Sequence, residues 1–290
     1  MPVSEGLKIG LALGGGGARG LAHIPMLQVL DELGIRPHRI AGTSIGAVIG
    51  AIYASGVTGM AIREGTDRML IKDGDTLRDI LANRDALASI RLLDIDFLGN
   101  ALFKGDAFVE FLYRQILTKT FGELHIPLRV VATNFWNSTQ EVFSEGDLLK
   151  AIKASMGLPG VFSPVHMDGM TLIDGGCVNP LPHDILGDCD VVIAVNVMGR
   201  LEKREGRKSP TAFRAVLETF NIMQRSIISE KLAKSPPTIY IEPDISNVDL
   251  LEFHKAPEIY AQAEKAAREL RDRLLALRTG PGKNKGVRQG

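Results

Sequence analysis

The first 54 residues constrain the fold most, because twice within them a short apolar run ends in a glycine-rich turn and gives way to a helically spaced apolar segment. Residues 8–13 lead into four consecutive glycines, Gly14 to Gly17, and then into residues 21–33, which Gly34 stops. Residues 39–41 lead into Gly42-Thr43-Ser44-Ile45-Gly46, and residues 45–54 follow with helical spacing, capped by Gly56. Strand, helix, strand, helix in that order implies a parallel sheet with helices on its faces. The stretch from Ile40 to Ile62 carries no charge, and Gly42, Gly46 and Gly50 repeat at the spacing of packed membrane helices. Its five glycines, with Thr43, Ser44, Ser55 and Thr58, leave it weakly apolar, so it reads as a buried strand, a tight turn and a buried helix.

Further along, residues 58–120 break the strand–helix rhythm. They read as a mostly helical insertion or cover over a site, with Phe97, Leu98, Leu102, Phe103, Phe108, Phe111 and Leu112 interleaved among charges; these could line a groove or simply pack a core. Strands are predicted at 128–133 and 141–143, then a helix to Met156 with Asp147 as its N-cap. Residues 164–167 and 170–173 flank Asp168-Gly169, a pair suited to a type I′ hairpin turn. A fully apolar strand at 191–197, a helix at 211–234, a strand at 238–241 and a charged amphipathic helix at 257–277 complete the pattern; the tail from Arg278 reads as disordered.

The chemistry-bearing residues sit at the glycine turns. Gly42 to Gly46 matches G-x-S-x-G between a strand and a helix, the context in which a serine is projected at the positive end of the helix as a nucleophile. Gly15-Gly16-Gly17-Ala18-Arg19-Gly20 satisfies the spacing of a dinucleotide-binding loop. That loop also requires a carboxylate at the end of the second strand, whereas residues 36–40 hold none and Ser44 stands there instead. A nucleotide-binding oxidoreductase is therefore the weaker reading. The alternative is an oxyanion hole built from bare glycine amides at a helix start, with Arg19 either adding charge or clamping the loop. For a base there are six histidines, of which chain order would favour His183 or His254, but none has a distinctive local context. Asp174-Gly175-Gly176 does: an apolar strand delivers the aspartate to a glycine turn. Asp168 is explained by the hairpin.

Thirty-four basic residues balance 34 acidic ones, which gives no support to a nucleic-acid partner or to strong long-range attraction to an anionic surface. Cys177 and Cys189 fit no zinc or redox spacing and read as reduced, mostly buried thiols. Residues 1–10 lack the pattern of a secretory signal, so a cytoplasmic protein is expected, with membrane contact at most peripheral.

Taken in order, Gly15 to Gly20, Gly42 to Gly46 and Asp174-Gly175 resemble the three motifs of patatin-like phospholipases, G-G-G-x-R-G, G-x-S-x-G and D-G-[AG]. The string from Ala154 to Phe162 and Asn179-Pro180-Leu181-Pro182 are similar to the bacterial, neuropathy-target-esterase-like branch. The resemblance covers residues 7–257, the expected catalytic domain. It implies a three-layer α/β/α sandwich on a mixed, mostly parallel sheet, and a Ser-Asp dyad without histidine. It also implies hydrolysis of acyl esters in phospholipids, lysophospholipids or related lipids, with no metal or other cofactor and with transient contact at a membrane surface. On this resemblance Ser44 is the nucleophile and Asp174 the base. Gly15, Gly16, Gly17 and Arg19 form the oxyanion loop, supported by Gly20, Gly42, Gly46 and Gly175. An acyltransferase would use the same residues, and a non-catalytic relative would be expected to have lost one of them.

Overall fold

The computed structural model describes residues 7–68, 114–116, 118–199 and 212–279. One eight-stranded sheet comprises β1 (Ile9–Leu13), β2 (Arg39–Thr43), β3 (Leu128–Asn134), β4 (Thr139–Phe143), β5 (Val165–Met167), β6 (Met170–Asp174), β7 (Val191–Val195) and β8 (Ile239–Ile241). The α-helices among the described residues are α1 (His23–Glu32), α2 (Ile45–Ala54), α3 (Gly59–Arg68), α4 (Leu148–Ser155), α5 (Ala212–Lys234) and α6 (Ala256–Thr279). Strands β3, β2, β1, β7 and β8 run parallel, and β4, β5 and β6 add antiparallel pairs. The mixed sheet between helical layers is the three-layer α/β/α sandwich expected from the sequence.

Alternation along the strands assigns the two faces. Ile9, Leu11 and Leu13 of β1, with Ile193 and Val195 of β7, point into the main core beneath α1, α2 and α6. Their neighbours Ala12 and Ala194, with Ala41 of β2, point to the other face and meet Leu181, Leu186 and Ile228. The small side chains on that second face let α5 and the chain around residues 181–189 approach closely; a Cβ on Gly10 would lie 2.9 Å from Cys189 Sγ. The charged helix predicted at 257–277 is α6, whose Ile259, Ala263, Leu270 and Leu274 belong to the main core.

Local chemistry sets the remaining boundaries. Asp147 caps α4 by accepting from the Lys150 amide at 2.9 Å, and Asp168 and Gly169 take φ of 51° and 75°, the left-handed pair a type I′ turn needs. The chain after the glycine loop first coils as a 3₁₀ helix (Gly17–Ala22), so the α-helix opens two residues later than the periodicity predicts. The Ala18 amide is drawn to the Leu250 carbonyl at 2.7 Å, which fixes that tighter entry. Strand β7 ends at Val195 rather than 197, where Asn196 turns the chain by accepting from the Met198 amide. Both cysteines are half-buried rather than fully enclosed.

Among the described residues no single helix is long and apolar enough to cross a membrane. Helices α2 and α3 together have that composition, but they meet at 119° and every residue of α2 is buried. The apolar positions from Phe97 to Leu112, and the tail beyond residue 279, lie outside the described residues.

Candidate active site

Sheet register brings the two motifs together. A strand has two hydrogen-bonding edges, and β4 occupies one edge of β3 from Val130 to Asn134. The other edge is shared: β2 pairs along it up to Thr43 opposite Val131, and β6 pairs from Leu172 opposite Asn134 to Asp174 opposite Ala132. The two strands therefore run toward each other and end on adjacent residues of β3, which leaves Ser44 and Asp174 face to face. Gly175 is required at this junction because a Cβ there would lie 2.2 Å from the Val131 carbonyl oxygen.

Ser44 occupies the turn between β2 and α2 with φ 54° and ψ −126°, a conformation that L-residues adopt only when the surroundings impose it. What imposes it is close packing of the turn: a Cβ on Gly46 would lie 2.2 Å from the Leu13 carbonyl oxygen. The Ser44 amide donates to Ser155 Oγ at 2.8 Å, and the Ser44 carbonyl accepts from Ala47 and Val48 as α2 begins. The hydroxyl is thereby freed to donate to Asp174 Oδ2 at 2.7 Å.

Asp174 is 3% exposed, and its second carboxylate oxygen accepts from the Gly176 amide at 2.7 Å. Burial pushes its pKa up to about 6, against the downward pull of the hydrogen bonds from Ser44 and Gly176. A carboxylate so raised is a better proton acceptor than an ordinary aspartate, and it is still largely ionised near neutrality. Cys177, beside it, is pushed up to about 12 by burial and by the Asp174 charge, so it stays a thiol.

The glycine loop lies against Ser44: a Cβ on Gly15 would lie 3.5 Å from Ser44 Cβ. The Gly15 amide is engaged with the Pro180 carbonyl at 2.9 Å, whereas the Gly16 and Gly17 amides have no partner among the described residues. Arg19 is buried, and its Nε donates to the Gly16 carbonyl at 3.2 Å while Nη2 reaches Asn221 of α5. This geometry makes Arg19 a clamp on the loop. Gly20 gives Ile45 its space; a Cβ there would lie 2.3 Å from the isoleucine side chain.

Among the described residues no histidine hydrogen-bonds Ser44 Oγ or the Asp174 carboxylate. His183 directs both ring nitrogens at backbone carbonyls, Leu181 at 3.0 Å and Ser235 at 2.9 Å. His254 lies in the 3₁₀ turn Phe253–Lys255. His23 is fully buried, donates from Nε2 to the Gly14 carbonyl at 2.8 Å and is held down to about 4 by desolvation, a neutral buttress behind the glycine loop. Among the described residues no three His, Cys, Asp or Glu side chains gather to hold a metal ion.

Two contributors escaped the sequence reading. Ser155 lies inside the string from Ala154 to Phe162, yet nothing in its spacing shows that its hydroxyl ends on the Ser44 amide. Gln224 of α5 reaches over the aspartate turn, its Nε2 1.9 Å from where a Gly176 Cβ would be, and a glutamine on a long helix gives no sequence signal.

The patatin-like phospholipase family model matches residues 11–186, more than half of the chain and all three motifs. The chain belongs to the patatin-like phospholipase family. It is 30% identical over 282 residues to lysophospholipase NTE1 of Candida glabrata, covering 89% of this chain and 16% of that protein. It is 34% identical over 199 residues to human patatin-like phospholipase domain-containing protein 6, covering 67% of this chain and 14% of that one. The chain thus spans about a sixth of the length of these relatives. Among solved structures, VipD from Legionella pneumophila shares the fold with a TM-score of 0.51 at 17% identity, over 92% of this chain and 66% of that one.

Proposed function

We propose that this protein hydrolyses carboxylic esters of lipids through a Ser44–Asp174 dyad and an acyl-enzyme. The observation that carries the reading is the 2.7 Å hydrogen bond from Ser44 Oγ to a buried carboxylate whose pKa is raised to about 6. Asp174 takes the Ser44 proton as Oγ attacks the ester carbonyl, and the tetrahedral oxyanion is received by the free amides of Gly16 and Gly17. The positive end of α2, on which Ser44 sits, favours the same developing negative charge. Asp174 then returns the proton to the departing alkoxide, leaving acyl-Ser44 and a free alcohol. In the second half Asp174 takes a proton from water, hydroxide adds to the acyl carbon, and the acid is released as Ser44 recovers its proton.

Lysophospholipids are the first substrates to assay, since the fungal relative is named a lysophospholipase. Contact with a lipid surface during turnover, and action on diacyl phospholipids, are part of the same proposal. The test is release of fatty acid from lysophospholipids, diacyl phospholipids and p-nitrophenyl esters by wild type, Ser44→Ala and Asp174→Asn. Loss of at least about 10²-fold in both variants with folding intact is the expected result; comparable turnover in Ser44→Ala would remove the basis of the reading.

A further inference from the structure

The three motifs that build the site come from distant parts of the chain, and one dipeptide touches all of them. The Asn179 amide donates to the Gly175 carbonyl at 2.8 Å, tying it to the aspartate turn. The Asn179 carbonyl accepts from the Thr43 hydroxyl at 2.7 Å, tying it to the residue before the nucleophile. The next carbonyl, of Pro180, accepts from the Gly15 amide at 2.9 Å, tying it to the glycine loop. Thr43 and Asn179 are both fully buried, so no water competes for these bonds. The Asn179 side chain is itself anchored from two sides: Nδ2 donates to Gln140 Oε1 and to Asp184 Oδ1, each at 2.8 Å. Asp184 is held in turn by Lys231 of α5 at 2.5 Å.

We infer that Asn179 is a positioning residue, which through its own carbonyl and that of Pro180 sets the spacing between the nucleophile and the glycine loop. The inference rests on the Ser44–Asp174 reading and goes beyond it by stating what fixes that geometry. The chemical need is specific. An oxyanion hole works only with its donors about 2.7–3.1 Å from the position of the forming oxyanion, and a misplacement of about 1 Å costs on the order of 10²-fold. Adjacent carbonyls of one dipeptide hold the elbow at Thr43 and the loop at Gly15, so a shift of Asn179 changes the distance between Ser44 Oγ and the Gly16 and Gly17 amides. The Ser44–Asp174 bond is made directly between the two side chains and does not pass through Thr43 Oγ1, so loss of that hydroxyl is expected to leave the titration of Asp174 in place.

Thr43 supplies the test, because its hydroxyl can be removed or kept with little change of shape. Turnover of a soluble p-nitrophenyl ester is measured for wild type, Thr43→Val, Thr43→Ser and Ser44→Ala, with active sites counted by fluorophosphonate titration so that unfolded protein does not enter kcat. Thr43→Val is expected to lower kcat at least about tenfold with KM within about twofold, and to leave the midpoint of the acidic limb of the pH profile unmoved. Thr43→Ser, which keeps the donor, is expected to restore kcat to within about threefold of wild type. Should Thr43→Val fail to fold, Thr43→Ala removes the same hydroxyl without crowding and is read the same way. Wild-type kcat per titrated site in the hydroxyl-free variant, or Thr43→Ser as impaired as Thr43→Val, overturns the inference while leaving the dyad standing. Full turnover by Ser44→Ala overturns the proposed function, and this inference with it.

Discussion

Replacing Asp174 by Asn should make the protein slower and more stable at once. Asn retains the volume and can still accept from the Gly176 amide, while its Nδ2 can donate to Ser44 Oγ, so the turn keeps its hydrogen bonds. What disappears is a charge held out of water. Raising the carboxyl from 3.8 to about 6 corresponds to about 3 kcal/mol against the ionised folded state, at roughly 1.4 kcal/mol for each tenfold. Because the folded pKa lies above the unfolded one, the wild-type protein has this contribution in full below pH about 4 and loses it as pH rises through about 6. The variant does not titrate there. Its advantage should therefore be small at pH 4.5 and reach a plateau above pH 7, at up to about 3 kcal/mol, or several degrees in Tm for a chain of this size. Turnover should fall by at least about 10²-fold, since the general base is gone. The assays are thermal melts across pH 4.5–8 and kcat on a p-nitrophenyl ester at pH 8. A variant that melts below wild type at pH 8 would show that Asp174 is not the desolvated charge, and one that keeps most of its turnover would show that it is not the base.

Four further outcomes follow from the same geometry. The kcat/KM profile of wild type should show an acidic limb near pH 6, where Asp174 takes up its proton, and a limb at the ordinary aspartate value near 4 or above about 7.5 would point to another base. His183→Ala should lower the melting temperature by emptying a buried site and removing the ring's contact with the Ser235 carbonyl, while the backbone amide of residue 183 keeps the Leu181 carbonyl satisfied and kcat per active site stays within a fewfold of wild type; a loss as deep as that of Ser44→Ala would make the enzyme a triad hydrolase. Ser155→Ala leaves the Ser44 amide without its acceptor, so a destabilisation of about 1–3 kcal/mol is expected in denaturant titration, together with slower fluorophosphonate labelling; no change in either would remove Ser155 from the site. Asp168→Asn should leave turnover and stability nearly unchanged, because Asn-Gly serves a type I′ turn equally well, and an inactive variant would mean that the wrong aspartate has been assigned.

The sequence carried the strand–turn–helix grammar well, since it rests on local properties: Gly34 and Gly56 end helices, Asp147 caps one, and Asp168-Gly169 closes a hairpin where each was expected. Ser44 and Asp174 were legible for the same reason, each at a strand end beside glycine. Their meeting was not. It depends on β2 and β6 sharing one edge of β3, a matter of register between segments 130 residues apart. The environment of Asp174 was equally hidden, because desolvation is a property of the packed fold and not of neighbours in sequence. Arg19 shows the limit most clearly. The motif allows either a charge for the oxyanion or a clamp, and what holds the guanidinium, the Gly16 carbonyl and Asn221, the latter 202 residues away, is not written in it.

The central claim is that Asp174 activates Ser44 with no histidine between them, and the most direct measurement is the rate and place of covalent modification. Wild type and Asp174→Asn are treated with a fluorophosphonate, and the adduct is followed in time and mapped by mass spectrometry of the digest. A single adduct on the peptide bearing Ser44, formed at least about 10²-fold more slowly in Asp174→Asn, is the expected result. An adduct on any other residue, or one on Ser44 that forms equally fast without the carboxylate, would contradict the claim.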